Sequence, residues 1–438
     1  MRESKHLLKG FIQRLYITWG SFMANDLFTY AAAGAFSFLM SALPIILMVL
    51  VILVRIFNTS PEVIRELLGN AGFFSDSFNI IPFLDSITSL HSVGLFEIIL
   101  GASIFWMARR FFASIQQGMK VIYRKRGKGK PIKENLIVIA GEAIVVILVV
   151  LTVVLILAGK AFTGTMVSQD ILGPGAFRVA DNLFKFAPLG ITFIFMVLVY
   201  YYTPRTRPGF LPSLFTAAAC TVTLAGVQFF FSTLINMTKY NLVYGILSNL
   251  IVLLLEVYFF FFFFLFFAQF LYVTQFFGSF LLSRLYLLPD REDPDPFRQI
   301  ERMLFINPGY FYKKYAEKRN ADVTLFMYGD SSTELYYICS GVVRLNMPNR
   351  IQEIGPGQVF GEFSSIIGGS RTATAVTLTD VFLLKLPESL FQETIEVDGE
   401  TYQWDLRRQP RPISGGRWEG VAITLRHVDF KREAIVQF

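Results

Sequence analysis

Long apolar stretches, separated by short polar segments, occupy the chain up to about residue 283. A helix needs about 20 mostly apolar residues to cross the hydrocarbon core of a bilayer, and six stretches reach or nearly reach that length. They are residues 28–54, 93–112, 136–157, 183–202, 211–234 and 245–277. The pattern predicts a polytopic, all-α bundle of six transmembrane helices over residues 1–283. The phenylalanine run at 259–264 is expected to face lipid.

The amino-acid composition favours a membrane location. Of 438 residues, 53% are hydrophobic, 47 are phenylalanine and only 17% are charged. A soluble fold has no interior large enough to hide so much apolar surface, whereas a bilayer does. The net charge of +7 reflects basic residues that cluster beside the apolar stretches, where they act as orientation signals. We therefore expect no nucleic-acid partner.

The basic residues also predict the orientation in the membrane. Four of them precede the first stretch: Arg2, Lys5, Lys9 and Arg14. Seven more lie within residues 120–133, directly after the second stretch. Segments rich in lysine and arginine stay in the cytosol. An even number of spans then places both termini of this multi-pass protein in the cytosol.

One face of the N-terminal segment is apolar, and basic residues border that face. The apolar face carries Leu8, Phe11, Ile12, Leu15 and Trp19. This pattern is typical of a helix that lies in the plane of the lipid headgroups. We expect the helix to anchor the N-terminus at the membrane surface.

Three polar residues in the last two stretches suggest a transport site. Glu256 lies near the bilayer midplane, at a depth where a charged carboxyl costs at least about 3 kcal/mol. Asn249 shares its helical face, and Gln228 in the preceding stretch is a partner across the hairpin. The three residues form either a proton- or cation-coupled translocation site or a neutral hydrogen-bonded cluster.

Three segments carry a family resemblance: AAAGAFSFLMSALPIILMVL from Ala31, YYYTPRTRPG from Tyr200 and YNLVYGILSNL from Tyr240. In this order, together with the basic loop after the second stretch, they resemble the YihY/BrkB family of bacterial inner-membrane proteins. The resemblance covers about residues 5–277 and implies a location in the cell inner (cytoplasmic) membrane. Glu256 stands where an aromatic residue is expected in this family.

Such proteins were once labelled ribonuclease BN, but the residues do not support catalysis. A metal-dependent nuclease needs several histidines and carboxylates that converge on ions. The chain has three histidines at scattered positions: His6, His91 and His427. The sequence contains no nucleophile motif, Walker loop or dinucleotide fingerprint. We therefore predict that the protein is not an enzyme and has no metal site.

The composition changes after the last apolar stretch. Residues 289–296 are rich in proline and aspartate and cannot continue a helix. Beyond them, short alternating strands such as 334–339 are separated by glycine-containing turns. The pattern predicts a linker with short helices over 284–320 and a small β-roll, similar to a jelly roll, over 321–395. Residues 396–438 form a tail, and the sequence does not indicate what structure it adopts.

The predicted β-roll contains the sequence FGEFSSIIGGSRTAT, which begins at Phe360. Arginine offers a buried phosphate a permanently charged, fork-shaped donor, and glycine leaves room for close approach. The segment resembles the phosphate cassette of cyclic nucleotide-binding domains in catabolite activators, kinases and gated channels. The resemblance implies a ligand site made of Gly361, Glu362, Arg371, Thr372 and Ala373. Arg371 would pair with the cyclic phosphate, and Glu362 would accept a hydrogen bond from the ribose 2′-hydroxyl.

Two departures from the family pattern leave open a β-roll that has lost its ligand, in which Glu362 and Arg371 pair with each other. Ser365 occupies a cassette position where an apolar residue is expected. The residues after Phe391 lack the pattern of the helix that usually caps the nucleotide. The sequence therefore does not predict the capping helix.

These features support two functional hypotheses. The first is a transporter or permease of unknown substrate, regulated by cyclic nucleotide binding to a cytosolic C-terminal domain. The alternative is a membrane-anchored signalling or scaffold protein that responds to the nucleotide without transport. Cyclic AMP is favoured over cyclic GMP as the regulatory ligand, and no tightly bound cofactor is expected. The expected partners are the lipid bilayer and the nucleotide, and a homo-oligomer is left open.

Overall fold

A computed structural model of the protein describes residues 2–40, 113–123, 151, 189–204, 206–234, 246–289, 291–348, 350–362, 364 and 369–397. The described residues form two compact units. One lies within Met1–Ile17 and Phe276–Phe438, and the other lies within Thr18–Gln275. We call the first the roll unit and the second the helical unit. The predicted tail lies outside the described residues from position 398 onward.

Ten helices are described, and they are numbered in chain order. They are α1 (Arg2–Ala24), α2 (Leu27–Met40), α3 (113–122), α4 (Leu189–Tyr202), α5 (Phe210–Leu234), α6 (Ile246–Gln275), α7 (Phe277–Tyr286), α8 (Pro296–Phe305), α9 (Gly309–Tyr315) and α10 (Glu388–Val397). The helical unit contains the end of α1 and all of α2 to α6.

Two of the helices are long and apolar enough to cross a membrane. The qualifying segments are Phe210–Phe231 in α5 and Ile251–Gln275 in α6. Helices α2 and α4 are apolar but shorter within the described residues. The predicted spans at 93–112 and most of 136–157 lie outside those residues. The described part of the chain therefore supports two of the six predicted spans by length and composition.

Helix α6 packs closely against α2 and α5. A Cβ atom added to Gly34 of α2 would lie 2.5 Å from the ring of Phe261, so the glycine allows this approach. The rings of Phe231 on α5 and Phe259 on α6 have centroids 5.7 Å apart. Phe261 and Phe264 are each 1% exposed. The expectation that the phenylalanine run faces lipid is therefore wrong for these two residues, which pack against other helices.

Two buried tyrosines fix α6 to its other neighbours. The hydroxyl of Tyr123, directly after α3, donates a 3.0 Å hydrogen bond to the carbonyl oxygen of Ala268. The hydroxyl of Tyr200 on α4 donates a 2.9 Å bond to the carbonyl oxygen of Phe264, one turn earlier on α6. Buried hydroxyls need such partners, and these bonds specify which faces of the helices meet.

The roll unit contains two four-stranded antiparallel sheets. The strands are β1 (Ala316–Arg319), β2 (Thr324–Phe326), β3 (Leu335–Ser340), β4 (Val343–Met347), β5 (Arg350–Ile354), β6 (Val359–Phe360), β7 (Thr374–Thr377) and β8 (Val381–Leu386). One sheet has the order β1-β8-β3-β6, and the other has the order β2-β7-β4-β5. The β-rich fold of the C-terminal region is confirmed. Strand β1 begins before the predicted start of the domain at residue 321. It belongs to the roll nevertheless, because it pairs with β8.

The two sheets share one hydrophobic core. Its buried members are Phe326, Tyr336, Ile338, Val343, Ile354, Phe360, Ala375, Val381 and Leu383. Three aromatic rings lie together where β6 ends. The Tyr336 and Phe360 centroids are 5.2 Å apart, and the Phe326 and Tyr336 centroids are 5.8 Å apart. We call Phe326, Tyr336 and Phe360 the aromatic cluster. It lies next to the candidate site.

A helix follows the last strand, although the residues after Phe391 lack the sequence pattern of a capping helix. Helix α10 buries Phe391 and Thr394. The Thr394 hydroxyl lies 3.4 Å from the carbonyl oxygen of Ser279 on α7, and the Ser279 hydroxyl donates to the Glu393 carboxylate. The sequence pattern is weak here because only one of the two buried residues of α10 is apolar, and polar contacts with a distant helix also hold α10 in place.

Candidate functional site

The candidate cassette connects β6 of one sheet to β7 of the other. Its described residues are 361–362, 364 and 369–373. Ser365, at the first departure from the expected pattern, lies outside them. Because β6 pairs with β3, and β7 pairs with β2 and β4, the two ends of the cassette are fixed by different sheets. The fold brings these two ends into contact.

The Arg371 side chain joins the two ends through hydrogen bonds from all three guanidinium nitrogens. Nε donates to the Ser332 hydroxyl at 2.8 Å. Nη1 donates to the carbonyl oxygen of Gly361 at 2.7 Å and to the Ser364 hydroxyl at 2.9 Å. Nη2 donates to the carbonyl oxygen of Glu334 at 2.8 Å, and it also lies 3.8 Å from the Glu334 carboxylate. Neutral oxygens therefore take most of its donor capacity.

The environment of this guanidinium is apolar on one side. Its central carbon lies 4.1 Å from the centroid of the Phe326 ring and 5.9 Å from that of Tyr336, within cation–π range. The residue is only 2% exposed. Burial lowers the pKa of Arg371, while Tyr336 and Glu334 oppose that effect. Because arginine keeps its proton in proteins, the roll holds a buried positive charge here.

Gly361 is the residue on which this geometry depends most. It has a φ of +85°, which favours glycine. A Cβ atom at this position would lie 2.7 Å from Nη1 of Arg371 and 3.2 Å from the carbonyl oxygen of Glu334. The sequence predicts that Gly361 lets a ligand approach the backbone closely. In the structure, the side chain of Arg371 lies at this place.

Glu362 is near this site but makes different contacts. Among the described residues, the ion pair of Arg371 is with Glu334 and not with Glu362. The hydroxyl of Tyr286 on α7 lies 3.5 Å from Oε1 of Glu362. Burial raises the pKa of Glu362, against the effects of the Tyr286 bond and the Arg371 charge. The alternative in which Glu362 and Arg371 neutralise each other directly is therefore not the arrangement observed.

The two remaining predicted residues follow Arg371 toward β7. Thr372 is exposed, and Ala373 is buried at 7% exposure. All five predicted positions thus lie in the connection between β6 and β7. Their roles as ligand contacts stay predictions.

Sequence reasoning missed the residues that hold Arg371. Ser364 lies within the cassette and could have been recognised as a hydroxyl next to the expected anion. Ser332 and Glu334 are distant in sequence, and only the fold brings them to the arginine. Glu334 also forms a 2.9 Å ion pair with Lys385 on β8. Hydrogen bonding to Lys385 is the main reason that the pKa of Glu334 is lowered.

The predicted transport residues lie on two packed helices of the helical unit. Glu256 is half-buried on α6, and Gln228 is exposed on α5. Asn249 lies in the first turn of α6, and its side chain is outside the described residues. A shared transport site at these positions stays a prediction.

Comparisons with known families agree with this division of the chain. The family model for "Virulence factor BrkB" matches residues 18–276, which is more than half of the chain. The model for the cyclic nucleotide-binding domain matches residues 317–398, which include seven complete strands and α10. Both resemblances stated from the sequence are confirmed.

Individual relatives match only a short part of the chain. The cyclic AMP receptor protein of Thermus thermophilus is 38% identical over 68 residues, which cover 14% of this chain and 32% of the receptor. The cyclic nucleotide-gated potassium channel mll3241 of Mesorhizobium japonicum is 38% identical over 64 residues, covering 15% and 18%. The chain thus spans about a third and about a fifth of these relatives. The crystal structure of the Thermus thermophilus catabolite activator protein is 30% identical, with a TM-score of 0.19, and covers 21% of this chain and 48% of that protein.

Proposed function

We propose that this chain, which belongs to the BrkB family of membrane proteins, is a transporter or permease whose activity is regulated by a cyclic nucleotide. In this proposal it lies in the cell inner membrane with both termini in the cytosol, where cyclic nucleotides are made. The nucleotide binds at the cassette of the cyclic nucleotide-binding domain. The observation that carries the proposal is the buried charge of Arg371, which lies beside the cassette glycine.

A cyclic phosphate would compete for the donors of Arg371. Nη1 and Nη2 now donate to the carbonyl oxygens of Gly361 and Glu334, which are neutral. A phosphate carries a full negative charge and can accept two parallel N–H···O bonds from the guanidinium, so its oxygens are the better acceptors. Binding would therefore release the Gly361 carbonyl from the arginine and move the cassette backbone.

A second exchange would occur at Glu362. Its carboxylate now lies 3.5 Å from the hydroxyl of Tyr286, a long contact that a ribose 2′-hydroxyl can replace. Tyr286 is the last residue of α7, and α7 is separated from α6 by one residue in the chain. Nucleotide binding would thus change a contact of the segment that follows the last predicted span.

The first ligand to test is cyclic AMP. The receptor protein of Thermus thermophilus is named for cyclic AMP, and the gated channel of Mesorhizobium japonicum is named for a cyclic nucleotide. These names support a cyclic mononucleotide as the ligand class. A ligand that binds only the folded state at about 100 times its Kd adds about 2.7 kcal/mol of stability. Thermal unfolding of the full chain with cyclic AMP and cyclic GMP would detect that shift.

Flux measurements distinguish the transporter from the scaffold alternative. The full chain would be reconstituted in proteoliposomes, and uptake of ions and small solutes would be measured with and without cyclic AMP. Nucleotide-dependent flux supports the proposal. Nucleotide binding without flux of any ion, small solute or lipid would contradict transport and favour a membrane-anchored signalling role.

A further inference from the structure

The C-terminal end of α8 receives side-chain hydrogen bonds from two distant parts of the chain. The last carbonyl groups of a helix lack partners inside the helix and must find them elsewhere. Here the carbonyl oxygens of Leu304, Ile306 and Asn307 accept bonds from three side chains that belong to other elements. We call residues 304–307 the α8 junction.

Two of these donors come from the N-terminal helix. Nε2 of Gln13 donates to the carbonyl oxygen of Leu304 at 2.9 Å, and Gln13 is only 2% exposed. Nζ of Lys9 donates to the carbonyl oxygen of Asn307 at 3.2 Å. Its positive charge also interacts favourably with the negative end of the helix dipole. The bonds connect residues that are 291 and 298 positions apart in the chain.

Apolar and aromatic contacts add to this docking of α1. The rings of Tyr16 and Phe305 meet edge to face, with centroids 5.6 Å apart. The guanidinium carbon of Arg14 lies 4.1 Å from the centroid of the Phe277 ring on α7. Residues up to Ile17 therefore belong to the roll unit, while α1 itself continues to Ala24 and leads into α2.

The third donor comes from the β-roll. The Tyr337 hydroxyl of β3 donates to the carbonyl oxygen of Ile306 at 2.8 Å. Tyr337 pairs with Val359 of β6, which ends at Phe360, and the cassette glycine Gly361 follows directly. The α8 junction is thus connected through Tyr337 and β6 to the carbonyl that Arg371 holds.

From these contacts we propose that the α8 junction transmits nucleotide occupancy to the N-terminal helix, so that ligand binding weakens the docking of α1. This inference rests on the proposed function, because it requires nucleotide binding at the cassette. In the structure, α1 is docked while Arg371 donates hydrogen bonds to protein oxygens. A ligand that accepts those bonds instead can shift α1 only if it binds more tightly when α1 is released than when α1 is docked.

The test measures cross-linking between α1 and α8 in the full chain in lipid nanodiscs. Cysteines replace Lys9 and Asn307, in a background that carries Cys220→Ala and Cys339→Ala, and the buried Gln13 bond stays intact. A short bifunctional thiol reagent reports how often α1 is docked. A matched pair, Arg344→Cys with Glu353→Cys, joins residues that are partners on β4 and β5 and controls for general reactivity.

We expect saturating cyclic AMP to slow the 9–307 cross-link by at least about fivefold, the lower end of usual allosteric coupling, without changing the 344–353 cross-link. Arg371→Lys, which keeps the charge but loses the fork, should require at least about tenfold more cyclic AMP for the same effect. Gln13→Leu should slow the 9–307 cross-link without any ligand.

Two different failures can be distinguished. If calorimetry shows that cyclic AMP binds and the 9–307 cross-link rate does not change, the junction proposal is wrong and the proposed binding function stands. If no cyclic nucleotide binds, the proposed function is wrong and the coupling is wrong with it. An unchanged rate in Gln13→Leu would show that Gln13 does not hold α1 in place.

Discussion

Nη1 of Arg371 lies 2.7 Å from the carbonyl oxygen of Gly361, and this hydrogen bond closes the cassette between β6 and β7. The glycine allows the bond because it has a positive φ and no side chain to meet the guanidinium. In the proposed function, a ligand that binds Arg371 competes with this bond. The proposed function therefore predicts that ligand occupancy changes the geometry of the cassette through Arg371 and its acceptors.

Substitution of Gly361 should be much more harmful than substitution of another glycine in the roll. Gly361→Ala requires a left-handed backbone and places a Cβ atom 2.7 Å from Nη1 of Arg371. We expect it to lower the free energy of unfolding by about 2 kcal/mol. Gly355→Ala is the control, because a Cβ atom there meets nothing within 4 Å. Denaturant unfolding measures both, and equal effects would contradict the account of Gly361.

Removal of the Arg371 side chain should destabilise the β-roll. Arg371→Ala leaves buried oxygens of Gly361 and Glu334 without donors, at an expected cost of about 3 kcal/mol in unfolding free energy. Arg344→Ala is the matched control. Arg344 forms an exposed ion pair with Glu353, and such pairs contribute at most about 1 kcal/mol. Thermal unfolding that ranks the two variants equally would show that Arg371 is not a structural residue.

The pH dependence of stability should have opposite signs at two carboxylates. Burial raises the pKa of Glu362, so its contribution is fully present below about pH 4.5 and is lost as pH rises through the folded value. Hydrogen bonding to Lys385 lowers the pKa of Glu334, so its contribution is present above about pH 4.5 and is lost as pH falls through the folded value. Relative to the unsubstituted chain, Glu362→Gln should gain stability as pH rises from about 4.5 to about 7, and Glu334→Gln should gain relative stability as pH falls below about 4.5. Parallel pH profiles would contradict these environments.

The helical unit should depend on the close contact between α2 and α6. Gly34→Ala places a Cβ atom 2.5 Å from the Phe261 ring, and such overpacking costs about 1 to 3 kcal/mol. Gly226→Ala on α5 meets nothing within 4 Å and improves helix propensity, so we expect it to be neutral or stabilising. Retention of the monodisperse fraction after heating in detergent measures both. Equal loss in the two variants would contradict the contact.

A proton-coupled transport site predicts a specific result at Glu256. Glu256→Gln keeps the shape of the half-buried side chain and removes its titration. We expect pH-dependent flux in proteoliposomes to lose its pH dependence. Asp26→Asn changes an exposed carboxylate in the turn between α1 and α2 and serves as the control. Unchanged pH-dependent flux in Glu256→Gln would exclude this residue from the coupling.

The local part of the candidate site could be predicted from the sequence, because its residues are close together in the chain. Gly361 and Arg371 were recognised from one fifteen-residue stretch, and the structure places them in direct contact. The acceptors from Ser332 and Glu334 could not be predicted, since only the pairing of distant strands brings them to the arginine. The same limit applies to the hydroxyl of Tyr286 beside Glu362.

The N-terminal helix shows how an amphipathic pattern can be interpreted incompletely. Leu8 and Phe11 remain exposed, at 61% and 48%, so the predicted anchoring face is available for lipid. The pattern gave no reason to single out Gln13, which is nevertheless buried against α8. A single polar residue on a helix does not identify its partner when that partner is nearly 300 positions away. Helix α10 was missed for a similar reason, because α7 supplies its polar contacts.

Calorimetry of the full chain measures whether Arg371 binds a cyclic nucleotide. Cyclic AMP would be titrated into the unsubstituted protein, into Arg371→Lys and into the control Arg344→Lys, after thermal unfolding has confirmed that all three are folded. The account predicts saturable binding to the unsubstituted protein and to Arg344→Lys, and affinity at least about tenfold lower for Arg371→Lys, which cannot offer a bidentate donor. Equal affinity in Arg371→Lys, or no binding of cyclic AMP or cyclic GMP to the folded unsubstituted chain, would contradict it.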